Sequence, residues 1–490
     1  TSRNQKLLPY HEELKKAGAC FGVSSGYERP MWFAKKNQEP KFIYSYNYQN
    51  WYPSVEFETK NTTENVGLYD LTAFSKYDLV GEKSHNELQK ICTANIKNEP
   101  GKTTYTQMLN EDGGIETDLT VVCLSKNYFR IISSAATKER DKFHILKYLS
   151  KEVDLKDVTD EIACLGLFGP KSRKLMQRIC NDDLTNEKFK FGSGKNITIK
   201  NKKVWIQRLS YVGELGFELY IKMNESKEIY DLIVENGDEF NLSHCGMLSL
   251  DTMRMESGFL HWGHDISPEE NQYEAGLEFA ISYKKNINFI GKEALLKIKN
   301  KKPSKRFVSL FLNNTKPGEP LLLHDEPIYC ENKIVGRTTS FNFGKSIAFG
   351  YVNSSSNLEN FKNKKIFIEI EKTKYPATFF NGALKDKSIK FGWSRTNFRY
   401  FLIFFVFYIS SNFNFCDVIG YLKKQMSQEN ISNQNRNFLP KRNVVGRSKV
   451  DINVLLNKIR LEEKKESIEK SVLIGIIFLI ILGVGLILSA

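Results

Sequence analysis

The sequence predicts an α+β protein with a β-rich C-terminal part, and three observations point there. Strand-like and helix-like segments alternate over residues 61–280. Two hairpins stand within that stretch, each with a turn that carries glycine. Residues 306–383 then switch to short strand runs separated by Gly, Asn and Asp, which suits a small barrel or sandwich.

Residues 1–60 are irregular and rich in aromatics, including Phe21, Tyr27, Trp32, Phe33 and Trp51. Such a stretch needs a surface to lie against and reads as the end of something larger. Residues 76–80 (KYDLV) read as a strand, and 84–93 as a helix with Ser84 as its cap. Residues 103–109 and 115–123 flank NEDGG, whose glycines suit a turn with positive φ. Because strand side chains alternate, Leu119, Val121 and Cys123 face one way, and Asp118, Thr120 and Val122 the other. Residues 137–152 form an amphipathic helical pattern. The second hairpin covers 203–222, with Glu218 and Tyr220 on the face opposite Phe217, Leu219 and Ile221. Residues 245–257 read as a helix ended by Gly258, which puts Arg254 in the last turn. Strand runs follow at 307–312, 346–352 and 365–371.

The composition changes after about residue 390. Residues 411–448 are polar and Asn-rich, as in a linker or a disordered stretch. Residues 471–490 carry no charge over 20 positions and follow Lys464, Lys465 and Lys470, the pattern of a transmembrane helix with a basic flank.

Net charge is +14, yet the lysines are scattered among acids and no nucleic-acid module is present, so a solvated basic surface is expected rather than a nucleic-acid partner. The eight cysteines form no CxxC pair and read as reduced, buried thiols in a reducing compartment. His261 and His264 lack the further ligands of a metal site. Residues 192–194 (GSG) do not open a nucleotide-binding helix, and 22–26 (GVSSG) lack the strand and helix around a nucleophile elbow and read as a loop.

The string YTQMLNEDGGIETDLTV (105–121) resembles a signature of the aminomethyltransferase family, the T-protein of the glycine cleavage system. SYVGELGFELYI (210–221) resembles its second signature, and LFGPKSRKL (167–175), DTMRMESGFLHWGHDI (251–266), FIGKEAL (289–295) and GRTTSFNFGKSIAFGYV (336–352) match further segments in the same order. GACFGVSSGYERPMWFA (18–34) and ENVGLYDLTAFSKYDLVG (64–81) are similar to the dimethylglycine and sarcosine dehydrogenase group.

The resemblance implies a folate-binding domain over 61–290, a C-terminal β-barrel domain over 291–390, a linker over 391–470 outside the family pattern and the apolar span 471–490. Residues 1–60 would be the connection to an upstream FAD domain. Carried over motif by motif, Asp118 is the catalytic carboxylate, and Tyr105, Thr120, Tyr211, Glu218 and Arg254 are folate-binding residues. The chemistry suits them. An ionised carboxylate such as Glu218 accepts from adjacent pterin N–H groups, and tyrosines offer flat apolar faces with a hydroxyl. A carboxylate near the folate nitrogens stabilises an iminium or manages a proton.

The implied activity moves one carbon from an N-methyl amine, oxidised at FAD, to tetrahydrofolate, in the cytoplasm or the mitochondrial matrix. A stand-alone aminomethyltransferase or folate-dependent demethylase is the first alternative. A regulatory protein on the same fold is the second, against which the presence of Asp118 and Glu218 argues.

Overall fold

Strand pairing in the computed structural model sorts the described residues into a six-stranded sheet, a five-stranded sheet, an N-terminal two-stranded sheet and a closed six-stranded barrel. The structure describes residues 3–380, apart from 317, 342–345, 354–360 and 362–363.

The six-stranded sheet runs in the order Gly194–Ile199, Lys202–Gln207, Gly216–Lys222, Ile162–Phe168, Val66–Asp70 and Leu242–Cys245. Only the last pair is parallel. Its alternation separates two cores. Leu68, Leu165, Leu167, Phe217, Leu219 and Ile221 pack with Leu175 and Met176 of helix Ser172–Ile179 and with Ile229 and Ile233 of helix Met223–Glu235. Burying each such side chain contributes about 1.5–3 kcal/mol. Tyr69, Cys164, Phe168 and Tyr220 point to the opposite face.

The five-stranded sheet runs Thr103–Leu109, Ile115–Ser125, Tyr128–Ser133, Ser75–Val80 and Asp154–Asp157, antiparallel throughout. Leu119, Val121 and Cys123 pack with Leu88 and Ile91 of helix Ser84–Ile91 and Ile145 of helix Lys138–Tyr148. That leaves Asp118 and Thr120 on the other face, as the alternation requires. Gly113 takes φ +87 in the connecting turn, where a side chain would be strained. Ser84 does not cap its helix: Lys83 holds that position, and the Ser84 hydroxyl donates to Asn127 O at 2.9 Å. The helix enters from a tight turn, so the serine is already inside it.

The N-terminal aromatics find their surface inside the fold. Trp32 is fully buried and packs with Cys20, Trp51 and Val55. The boundary expected at residue 60 falls inside helix Tyr52–Glu64. From that helix the Glu58 carboxylate accepts the backbone N–H of Phe33 at 2.7 Å and of Gly246 at 2.8 Å, tying three separate segments together. GVSSG closes a hairpin between strands Ala19–Ser24 and Tyr27–Phe33. A strand therefore precedes it after all, but a second strand follows where a nucleophile elbow needs a helix, and the Ser25 hydroxyl donates to Ala135 O at 2.7 Å.

The barrel closes in the order Lys305–Leu312, Ile347–Asn353, Lys333–Phe341, Pro327–Cys330, Ile366–Ile370 and Thr373–Phe380. Its interior holds Val308, Leu310, Ile328, Ala348, Val352 and Ile368. Closure decides between barrel and sandwich. Among the described residues no helix is long and apolar enough to cross a membrane. The span expected at 471–490 and the linker at 391–470 lie outside the described residues.

Candidate active site

The two large sheets, the N-terminal hairpin and the barrel border a partly open cavity of about 610 Å³. Asp118, Tyr105, Thr120, Tyr211, Glu218 and Arg254 all line it. The structure thus brings together every candidate site residue, from three elements remote in sequence.

The first hairpin supplies three of them. Tyr105 faces Thr120 and Gln107 faces Asp118 in the strand register, so the four share one face. Gln107 Nε2 donates to Asp118 Oδ1 at 2.8 Å. Burial pushes the Asp118 carboxyl up to about 6, against the opposing pull of the Tyr105 hydroxyl and the Gln107 amide. Burial also raises the Tyr105 phenol, and the neighbouring Asp118 charge raises it further. The Tyr105 ring stacks with Phe279 at 6.1 Å.

The second hairpin supplies Glu218. Tyr220 donates its hydroxyl to Glu218 Oε2 at 2.6 Å. Burial raises this carboxyl, and the Tyr220 hydrogen bond offsets it. No lysine pairs with Glu218 among the described residues, so the carboxylate keeps an oxygen for a ligand. Tyr211 lies in the connection before this strand. It donates to Leu260 O at 2.7 Å and stacks with Phe259 at 5.9 Å.

Arg254 is differently employed. It is 1% exposed, in the last turn of helix Met247–Glu256. Its Nε donates to Asp251 Oδ1 at 2.7 Å, one Nη1 hydrogen bond goes to Phe259 O at 3.0 Å and another to Asp265, and Nη2 donates to Ser340 Oγ at 2.8 Å. A guanidinium has five donors, so Arg254 spends four on the protein itself. Burial alone would lower it, but Asp251 and Asp265 hold it well above its ordinary value. Ser340 belongs to a barrel strand, and Asp265 accepts from Thr339 on the same strand at 2.6 Å. Arg254 borders the cavity as a clasp between the sheets and the barrel.

Reading the motifs missed the hairpin wall, formed by Gly22, Val23, Ser24, Arg29 and Met31, and the buried Lys76. The YERPMWF string was the visible signal for the first. Burial lowers Arg29 to about 10 and Lys76 to about 8. Lys76 Nζ donates to Thr72 O at 2.8 Å and Phe74 O at 2.7 Å. Sequence gave no sign that His261 and His264 stack at 4.7 Å on the cavity rim. Among the described residues no cluster of three or more His, Cys, Asp or Glu is arranged to hold a metal ion.

Residues 10–285 match the model of the GCVT N-terminal domain, and 305–384 that of the glycine cleavage T-protein C-terminal barrel domain. The chain is 36% identical over 348 residues to 4-methylaminobutanoate oxidase (formaldehyde-forming) of Paenarthrobacter nicotinovorans, covering 71% of this chain and 42% of that one. It is 33% identical over 359 residues to the mitochondrial dimethylglycine dehydrogenase of Homo sapiens, covering 71% and 40%. It therefore spans about two fifths of the length of these curated relatives. The crystal structure of the glycine cleavage system aminomethyltransferase T from Bartonella henselae superposes with a TM-score of 0.66 at 22% identity, over 78% of this chain and 99% of that one, a likeness of fold. Two consecutive domain models, strong relatives and a shared architecture agree, and the chain belongs to the glycine cleavage T-protein (aminomethyltransferase) family.

Proposed function

We propose that this chain transfers one carbon from the iminium of an N-methyl amine, of the dimethylglycine or sarcosine type, to tetrahydrofolate, giving 5,10-methylenetetrahydrofolate and the demethylated amine. The observation that carries the reading is the convergence of Asp118 and Glu218 on one cavity, without a cation bonded to either among the described residues.

The residues present fit a reduced pterin. Glu218 keeps Oε1 without a partner among the described residues, beside an oxygen already oriented by Tyr220, and a carboxylate so held accepts neighbouring ring N–H and NH₂ donors. Tyr105 and Tyr211 supply aromatic faces, Tyr105 stacked with the exposed Phe279 and Tyr211 with Phe259. Tetrahydrofolate supplies the nucleophilic nitrogens that take up the carbon. Asp118 stabilises the cationic iminium and accepts the proton released at the attacking nitrogen, a role suited to a carboxyl poised near 6. The walls narrow the access of water, which would otherwise hydrolyse the iminium.

The long relatives are named as an oxidase and a dehydrogenase, which supports a prior oxidation of the amine, a step this reading assigns to an FAD domain. The 32% identity to an aminomethyltransferase, over 84% of that protein, favours a second reading, transfer not coupled to amine oxidation. Both share the folate step.

Calorimetric titration with tetrahydrofolate tests that step. The chain is expected to bind it, and Glu218→Ala to weaken binding by about 10–100-fold, the worth of hydrogen bonds to a charged group. A chain that binds no tetrahydrofolate, or a variant that binds it unchanged, overturns the reading.

A further inference from the structure

Arg29 stands in strand Tyr27–Phe33, on the hairpin wall of the cavity. Its Nε is buried and has no hydrogen-bond partner among the described residues. One Nη2 hydrogen is directed at the Met247 thioether, a weak acceptor. The guanidinium lies 5.4 Å from the centre of the Phe74 ring. Asp70 is the acid whose charge reaches it, but that carboxylate accepts from the Thr72 backbone N–H at 3.0 Å instead, and its Oδ2 is buried without a partner among the described residues.

Asp70 also answers to Lys76, the second cation on this wall. Lys76 is also reached by the charge of Asp160 and donates to two backbone carbonyls, whereas no carboxylate is hydrogen-bonded to Arg29 among the described residues, so its fork lacks an anionic acceptor. Glu218 does not supply it, since burial and the Tyr220 hydroxyl, and no cation, govern that carboxyl. Arg29 is half-buried with its Nε fully out of water, so an unpartnered N–H there is costly, and its planar fork matches a carboxylate. The wall is therefore incomplete in the absence of an anionic ligand.

We propose that Arg29 determines substrate specificity by receiving the carboxylate of an N-methyl amino acid on its unused N–H fork. The inference rests on the folate-dependent reading above. Anchoring the carboxylate at the hairpin wall confines the amine end to the cavity that Asp118 lines, and an amine without a carboxylate lacks that anchor. The glutamyl end of tetrahydrofolate carries the same chemistry, so the test separates the two sources.

The full chain, saturated with tetrahydrofolate, is titrated with N-methylglycine and with dimethylamine, which lacks the carboxylate. N-methylglycine is expected to bind at least about 10-fold more tightly, the worth of a charged hydrogen bond. Arg29→Met is expected to erase that difference and to leave tetrahydrofolate affinity within about 2-fold of the parent's, well under the factor of ten that 1.4 kcal/mol represents. Arg29→Lys keeps the charge, loses the fork and is expected to fall between, which preserves the test if the methionine variant does not fold. Unchanged N-methylglycine affinity in both variants overturns the proposal. Equal weakening of tetrahydrofolate also overturns it, by assigning Arg29 to the folate tail. Failure of the parent chain to bind tetrahydrofolate removes the folate reading and this proposal together.

Discussion

Gln107 and Asp118 face each other across the first hairpin, and the Gln107 amide nitrogen donates to Asp118 Oδ1 at 2.8 Å. Gln107 Oε1 in turn accepts from Gln272, on a separate helix. The carboxylate is thereby oriented by a chain of amides that itself carries no charge. Asp118→Asn preserves the shape and removes the proton acceptor. Transfer in single-turnover assays is expected to fall by about 10²–10⁴-fold, the usual worth of a positioned acid or base. Tetrahydrofolate affinity should change little. A variant retaining parental turnover would remove Asp118 from the chemistry.

The same carboxyl sets a pH dependence. With its folded value raised from 3.8 to about 6, Asp118 is mostly protonated at pH 5 and mostly ionised at pH 7. Turnover should rise with pH through about 6 and level above it, and Asp118→Asn should lack that limb. Stability responds in the opposite sense. A raised folded-state value favours the folded protein most below pH 4 and loses that contribution as pH climbs through 6. Asp118→Asn should therefore melt higher than the parent above pH 7, with the gap closing near pH 4.

Arg254 predicts a stability effect larger than any effect on ligand binding. Its removal leaves Asp265 buried beside an empty place. Arg254→Met is expected to cost about 3–5 kcal/mol in denaturant unfolding, as for other broken buried pairs. Ser340→Ala removes one hydrogen bond of the clasp and should cost about 1 kcal/mol.

Gly246 admits no side chain. A Cβ there would lie 2.2 Å from the Met31 carbonyl oxygen, a backbone atom that cannot swing away. Gly246→Ala should cost about 1–3 kcal/mol through overpacking, with loss of the Glu58 hydrogen bond that the glycine N–H donates. Thermal melting against the parent reads both.

Period and turn chemistry made much of the scaffold legible. Alternation alone put Asp118 and Thr120 opposite Leu119 and Val121, and Glu218 opposite Phe217 and Leu219, and the structure agrees. Gly258 ends its helix at φ +73, with Arg254 in the last turn. Alternation says which face a residue takes, but not what covers that face. The convergence of Tyr105 and Glu218 on one cavity followed only from the family motifs. The fate of Arg254 was not legible, because its partners Asp265 and Ser340 lie 11 and 86 positions away. Ser84 misled for a local reason: cap residues look alike in sequence whether they stand before the first turn or within it.

The hairpin at Ala19–Phe33 has a practical consequence. A protein trimmed to begin at residue 61 would keep Asp118 and Glu218 but lose one entire side of their chamber, together with the Glu58 tether. On the folate reading proposed above, such a fragment would leave the iminium more open to solvent, and its hydrolysis to formaldehyde and amine would compete with capture by the folate.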